Sequence, residues 1–219
     1  MQKNRAKITF TVGLLAMLLA VPVFAASINK SIKVEAGAEA SGATSVNGSI
    51  SIGEDAMVTG NVKTVNGTIR VDAGATMEKA STVNGGIRIA RGVQSESLNT
   101  VNGSIKVADQ ASVDGEIAAV NGRITIDSDS KVSSNVSNVN GQIELSGAEV
   151  GGDLKTVNGD VSLEDESVVM GDLIVEKNNS WGWGKSKKSE EHTSELQSLT
   201  NLVFRLRREK GGGGGGGGG

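Results

Sequence analysis

The chain has no cysteine, no tyrosine, one proline and one histidine among its 219 residues, and aromatic residues make up only 2% of it. The absence of cysteine excludes disulfides and thiolate nucleophiles, and a zinc site would lack its usual ligands. So few aromatics cannot supply the buried area that they normally contribute to a globular core. The fold must therefore bury small aliphatic residues, and few side chains are present for nucleophilic or acid–base catalysis.

The N-terminal segment has the pattern of a secretory signal peptide, which we predict to span residues 1–25. Lys3, Arg5 and Lys7 precede an apolar run, and Val23-Phe24-Ala25 fits a small-residue cleavage site. The apolar run is shorter than the ~20 residues of a membrane-spanning helix, although an uncleaved anchor is the alternative. We therefore expect export to the periplasm or cell surface of a bacterium.

The C-terminal residues divide into two segments. Residues 177–188 are interpreted as a polar tail or cap, in which Trp181 and Trp183 either cover the end of the fold or contact a membrane or partner. Residues 189–219 resemble a translated sequencing adaptor followed by nine glycines, and we interpret them as an assembly artefact. The alternative is an amphipathic helix with a flexible tail.

Between these terminal segments the chain is acidic. Residues 26–188 carry 15 Lys and Arg against 21 Asp and Glu, a net charge of −6. This balance gives no electrostatic footprint for nucleic acid, so no nucleic-acid partner is expected. Calcium-binding nonapeptide repeats are absent as well, and we expect neither a metal nor a cofactor.

One tripeptide recurs at a nearly fixed interval through the acidic region. Val-Asn-Gly occurs seven times, at intervals of 18 or 19 residues. Short alternating pairs such as Ile-x-Ile follow each motif, and Gly, Asp, Asn and Ser separate the pairs. Hairpins would not require a constant interval, whereas stacked parallel coils would. The sequence therefore predicts an all-β fold for residues 26–176: a single-stranded parallel β-helix, or solenoid, of about eight triangular coils of 18–19 residues.

Each residue of the motif has a predicted place in the coil. The valines are expected to form an inward column, and the glycines to adopt a corner dihedral that other residues resist. The asparagines are expected to form a hydrogen-bonded ladder, through Asn47, Asn66, Asn84, Asn102, Asn121, Asn140 and Asn158. The extra residue of the longer coils is predicted at the third corner, where Thr59–Asn61 corresponds to Glu78–Lys79. The threonines that precede four of the valines are attributed to repeat spacing alone.

The export signal, the short Gly-rich β repeats and the reiterated Thr-Val-Asn-Gly resemble the bacterial exported DUF4097-like adhesin group. The coil length also resembles the bactofilins, which are polymer-forming β-solenoids. Both likenesses depend on the repeat pattern of residues 26–176 and involve no catalytic motif. They imply a right-handed parallel β-helix with a structural or adhesive role.

Three cations fall at equivalent positions of consecutive repeats. Arg70, Arg88 and Lys106 each lie between two aliphatic residues, so they are expected to face outward about 5 Å apart. Stacked like charges are unfavourable unless acids or an anionic ligand compensate them. These residues are our candidate site for anionic polysaccharide, and the alternative is neutralisation by acids such as Asp72 and Asp109.

Some parallel β-helices are polysaccharide lyases or hydrolases, so an enzyme is the alternative function. Glycoside hydrolysis needs two carboxylates about 5–10 Å apart. Candidate acids at one corner are Glu54, Asp55, Asp72, Asp109, Asp127, Asp129, Glu164, Asp165 and Glu166. A solvated corner, where Asp and Glu keep the surface soluble, is the favoured explanation for them, and no histidine or tyrosine accompanies them in the repeats. We therefore expect a non-enzymatic envelope protein that associates end to end with itself or binds surface polysaccharide.

Overall fold

A computed structural model describes residues 24–176 of the chain, and all of these residues lie in one compact unit. Within this range the chain forms 23 β-strands, and it contains no helix that could cross a membrane. Every strand pairing is parallel, as the constant repeat interval predicts. The predicted all-β parallel solenoid is confirmed.

The first twelve strands are β1 (Phe24–Ser27), β2 (Ile32–Val34), β3 (Glu39–Ala40), β4 (Gly42–Asn47), β5 (Ile50–Ile52), β6 (Met57–Val58), β7 (Val62–Asn66), β8 (Ile69–Val71), β9 (Thr76–Asn84), β10 (Ile87–Ile89), β11 (Gln94–Asn102) and β12 (Ile105–Val107). The remaining strands are β13 (Ser112–Val113), β14 (Ile117–Asn121), β15 (Ile124–Ile126), β16 (Lys131–Val132), β17 (Val136–Asn140), β18 (Ile143–Ser146), β19 (Glu149–Val150), β20 (Leu154–Asn158), β21 (Val161–Glu164), β22 (Val168–Val169) and β23 (Leu173–Val175).

Strands of successive coils stack into three faces. The first face is the eight-stranded sheet β2-β5-β8-β10-β12-β15-β18-β21, one strand for each of eight coils. The second face contains β3, β6, β13, β16, β19 and β22, and the third contains β1, β4, β7, β14, β17, β20 and β23. The long strands β9 and β11 belong to both the second and the third face, and join them into one sheet. Eight coils at about 4.8 Å give a stack roughly 34 Å long.

The core consists of aliphatic side chains that stack on the same residue type in the next coil. On the first face, the strands from β5 to β18 each open with a fully buried isoleucine that stacks on the isoleucine of the neighbouring coil; these residues are Ile50, Ile69, Ile87, Ile105, Ile124 and Ile143. Outward residues alternate with them, because successive side chains of a strand point to opposite sides. Burial of this column explains how the chain folds with so few aromatics.

The corner between the first and second faces has a left-handed backbone at one position of each coil, and at two adjacent positions in the last described coil. Glycine occupies it in four coils, as Gly37, Gly74, Gly92 and Gly147, with φ between 64° and 70°. Asp55, Gln110, Asp129 and the pair Asp165–Glu166 occupy it in the others. Gly, Asn and Asp tolerate this conformation best, so the corner itself selects small or polar residues.

The corner between the second and third faces sets the coil length in most coils. Residues 59–61 form a corner between β6 and β7, whereas β9 runs through the same place without interruption. Register aligns Val58 with Met77 and Val62 with Ala80, so Thr59–Asn61 faces only Glu78–Lys79. The predicted position of the extra residue is therefore confirmed for these coils. In the coil that contains β18 and β19, the corner between the first and second faces, which we call the first corner, is shortened instead.

Candidate functional site

The asparagines of the Val-Asn-Gly motifs form a continuous ladder at one edge of the third face. The Nδ2 of each asparagine donates a hydrogen bond to the Oδ1 of the asparagine one coil earlier, over 2.7–3.0 Å. The ladder starts at Asn29 and continues through Asn47, Asn66, Asn84, Asn102, Asn121, Asn140 and Asn158. An amide can both donate and accept, so one residue type continues the ladder from coil to coil. The ladder therefore stabilises the register of the coils.

The valines of the same motifs point away from the core, and the predicted inward column is wrong. Six of them are 38–40% exposed: Val46, Val65, Val83, Val101, Val120 and Val139. In β11, Leu98 and Thr100 are buried, so strand alternation turns Val101 outward. Together with the residues two positions earlier, the six valines line a shallow groove of about 660 Å³ on the third face, which we call the valine groove.

The glycine after each asparagine is required mainly by close packing of neighbouring coils. Only Gly122 and Gly141 of these seven glycines have a positive φ, so the predicted corner dihedral is wrong for the other five. A Cβ atom on Gly103 would overlap the carbonyl oxygen of Gly85 in the preceding coil, and the same contact recurs along the stack. The left-handed residues lie at the first corner instead.

A column of hydroxyl groups lies inside the core beneath the exposed valines. Ser45, Thr64, Thr82 and Thr100 are buried, and their hydroxyls donate hydrogen bonds of 2.9–3.1 Å to the carbonyl oxygens of Lys30, Gly48, Gly67 and Gly85. We call this set the hydroxyl column. Repeat spacing alone does not explain these residues, because each bond ties one coil to the carbonyl group of the coil before it. The recurrence of Ser or Thr directly before the valine was the sequence signal for this role.

The hydroxyl column is incomplete at three coils. Ala119 stands where a threonine is expected, and no side chain among the described residues bonds the carbonyl of Gly103. In the next coil Asn138 substitutes for threonine, and its Nδ2 donates to the carbonyl of Gly122 over 2.7 Å. Thr156 is fully buried, yet its Oγ1 has no hydrogen-bond partner.

The three predicted cations are aligned on the first face. Arg88 pairs in register with Arg70 on one side and with Lys106 on the other. All three are exposed, and we call them the basic stripe. The Nζ of Lys106 lies 2.9 Å from Oδ2 of Asp127, whereas neither arginine forms an ion pair with a described residue. Neutralisation by corner acids, the alternative interpretation, is therefore seen only at Lys106.

The acids considered for catalysis lie around the first corner. Asp55, Asp129, Asp165 and Glu166 occupy its left-handed positions, so the backbone explains their presence. All nine candidate acids except Asp127 are exposed. Within residues 24–176, no three His, Cys, Asp or Glu side chains approach closely enough to hold a metal ion.

The last described coil exposes side chains that earlier coils bury. Leu163, Leu173 and Val175 are 37–39% exposed, whereas Leu145 and Leu154, one coil earlier, are fully buried. In register, Leu163 stacks on Leu145 and Leu173 on Leu154. β21, β22 and β23 have no described strand on their far side. Among residues 24–176, the last coil therefore presents apolar side chains and strand edges that pair with no described strand.

Several sequence interpretations concern residues outside the described range. The basic and apolar parts of the predicted signal peptide, the Trp181 and Trp183 tail and the interpreted artefact at residues 189–219 all lie there. β1 begins at Phe24, two residues before the predicted mature N-terminus, and pairs with β4.

Comparison of the chain with protein-family models, curated proteins and solved structures finds no match. The parallel β-solenoid is consistent with the bactofilin-like fold that the coil length resembles. Three surface features of the described residues are therefore the basis for assigning a function: the basic stripe, the valine groove and the last described coil.

Proposed function

We propose that this chain is an exported, non-enzymatic β-solenoid of the bacterial cell envelope with a structural or adhesive role, and that its basic stripe binds anionic surface polysaccharide. The alignment of Arg70, Arg88 and Lys106 on consecutive coils carries the proposal. It places one cation every ~4.8 Å along a rigid face. The resemblance of the repeats to exported DUF4097-like adhesins supports the same role.

Neither Arg70 nor Arg88 forms an ion pair with a described residue, although acids lie nearby in the sequence. Asp72 follows Arg70 at the spacing at which Glu35 follows Lys33, but only the Lys33–Glu35 pair forms, at 2.7 Å. Like charges in register neighbours destabilise a sheet. A polymer with carboxylate or phosphate groups along its length would relieve this repulsion at several coils at once. Arginine suits such a ligand, because its guanidinium group binds both kinds of oxyanion through two parallel hydrogen bonds.

The test measures binding of the chain to alginate, a polyuronate, at several salt concentrations, with neutral dextran as the reference polymer. The triple variant R70A/R88A/K106A should bind alginate at least tenfold more weakly. It should also show a shallower dependence of affinity on salt, because fewer counterions are released. Neither chain should bind dextran.

A matched control removes the same charge from other faces. Lys79, Lys131 and Lys155 each pair with an acid, Glu96, Glu149 and Glu176 respectively. The triple variant K79A/K131A/K155A should keep most of the alginate affinity. If both triple variants lose affinity equally, the stripe is not the binding site and the proposal is wrong.

Self-association through the end of the stack is a second candidate role, favoured by the exposed Leu163, Leu173 and Val175. An end that meets the opposite end of another copy forms an open, non-closing assembly. Sedimentation velocity over a concentration series should show species that grow with concentration for the native chain. L163R/L173R should abolish this growth. M57R, which alters an exposed residue of the second face, should leave it unchanged. Concentration-independent sedimentation of the native chain would exclude this role.

A further inference from the structure

The valine groove is an apolar surface on the outside of the third face, so its valines are not part of the core. It is also separate from the basic stripe, which lies on the first face. Its six valines follow one another on consecutive coils and are each 38–40% exposed. The residues beside them are Thr44, Lys63, Ser81, Asn99, Ala118 and Ser137. Aliphatic side chains at these outward positions have no role in the core, because the hydroxyl column occupies the inward side of the same strands. The groove therefore indicates a ligand with an apolar surface.

The size of the groove favours a narrow ligand over a protein partner. Six coils at about 4.8 Å give a length of roughly 24 Å, and three strand residues give a width near 10 Å, so one side offers only about 240 Å². A stable protein interface needs about 800 Å² from each partner. The groove volume of about 660 Å³, spread over this area, gives a depth of only about 3 Å, so the groove is a shallow track and not an enclosed cavity. A linear apolar chain fits these dimensions, and a second copy of this molecule does not.

Charge is distributed unequally along the groove. Lys63 is the only charged residue that lines it, and Lys63 forms no ion pair with a described residue. The corner beside Lys63 is uncharged, at Thr59–Asn61, and the asparagine ladder on the other edge is neutral. Beside the next three coils the corner carries four acids, Glu78, Glu96, Asp114 and Glu116, and one base, Lys79, which pairs with Glu96. Beside the last valine of the groove the corner, Ser133–Asn135, is uncharged again. The cation of the groove thus lies near one end, on the second of its six coils, whereas Lys155, which stacks on Ser137 beyond the other end, is paired with Glu176. The middle of the flank has a net negative charge, which disfavours anionic polymers and anionic bilayers there.

We propose that the valine groove binds a single long-chain fatty acid, with the carboxylate at Lys63 and the hydrocarbon tail along Val83, Val101, Val120 and Val139. The apolar groove accounts for the tail, and Lys63, the one charged residue of its lining, accounts for the head group near one end. Tail burial supplies affinity in proportion to the apolar area removed from water. The ligand is a free monomeric fatty acid, since the acidic flank disfavours a membrane surface.

The test is isothermal titration of the full chain with hexadecanoate below its micelle concentration. We expect saturable binding with one site per chain. Octanoate should bind at least tenfold more weakly because less of its tail is buried, and hexadecanol should bind more weakly because it lacks the carboxylate. K63Q should lower the affinity for hexadecanoate several-fold and leave the affinity for hexadecanol unchanged.

Substitutions in the groove give an independent measurement. V83T/V101T/V120T keeps the β-branched shape on exposed strand positions, so the fold should be retained, and hexadecanoate affinity should fall at least tenfold. V168T is the matched control, because Val168 is an exposed valine of the second face. If the triple variant does not fold, the chain-length series and K63Q still test the proposal on folded protein.

The proposal would be overturned if the chain showed no saturable binding of hexadecanoate, or if V168T lost as much hexadecanoate affinity as the triple variant. It would also be overturned if K63Q weakened hexadecanoate and hexadecanol binding equally, or if the chain bound anionic vesicles but not monomeric hexadecanoate. Dimerisation that the valine substitutions abolish would also overturn it, by assigning the groove to a second copy.

Discussion

Replacement of Ala119 by threonine should stabilise the protein, because it restores a missing member of the hydroxyl column. Ala119 pairs in register with Thr100 on one side and with Asn138 on the other. Both neighbours donate to a glycine carbonyl one coil earlier, Thr100 over 2.9 Å and Asn138 over 2.7 Å. A threonine hydroxyl at position 119 would therefore lie within reach of the carbonyl of Gly103.

The magnitude follows from a comparison with valine at the same position. Threonine and valine have nearly the same shape, so the difference between A119T and A119V isolates the hydroxyl. A net hydrogen bond contributes about 0.5–1.5 kcal/mol, so A119T should exceed A119V in stability by about 1 kcal/mol. A buried hydroxyl without a partner would instead cost about 1–3 kcal/mol. The sign of the difference thus decides whether the bond forms.

The assay is urea unfolding followed by far-ultraviolet circular dichroism, with thermal unfolding as a second measurement. A gain of 1 kcal/mol should raise Tm by about 2–4 °C in a chain of this size. Thr100→Val serves as the reciprocal control and should lose about 1 kcal/mol, since it removes an existing bond. A119T that is less stable than A119V, or T100V that is as stable as the native chain, would refute the role of the hydroxyl column.

Two further predictions concern the same edge of the coil. Gly103→Ala should cost about 3 kcal/mol, the upper end of overpacking costs, because its Cβ would overlap the carbonyl of Gly85 and force the coils apart. Gly92→Ala meets open space and adds only left-handed strain, for a smaller cost of about 1 kcal/mol. Equal urea midpoints for the two variants would contradict this packing explanation. Thr156→Val should raise stability by about 1–2 kcal/mol, since Oγ1 of Thr156 is buried without a partner, and a lower Tm would show that this hydroxyl is bonded.

Much of the fold was predictable from the repeat interval. Because each coil must return to the same place in the stack, equivalent residues 18 or 19 positions apart become register neighbours. This rule correctly placed the asparagine ladder, the alignment of Arg70, Arg88 and Lys106, and the extra residue at Thr59–Asn61. Each of these features depends only on which residues stack.

The candidate site was less predictable, because hydrophobicity alone misassigned the two residues before each asparagine. Valine is the more apolar of the pair Thr100–Val101, but the threonine is buried and the valine exposed. The inward position favours threonine because its hydroxyl reaches the carbonyl of Gly85. Neither the valine groove nor its lone cation, Lys63, could be identified until this orientation was known.

The sequence by itself determined the coil length, the number of coils and the identity of stacked neighbours, since all three follow from the spacing of a repeated motif. Only the tertiary structure decided which side of each strand faces the core, because the corners interrupt the alternation of side chains and restart it on the next face. It also decided why glycine is needed at Gly103, since the approach of a neighbouring backbone leaves no trace in the local sequence.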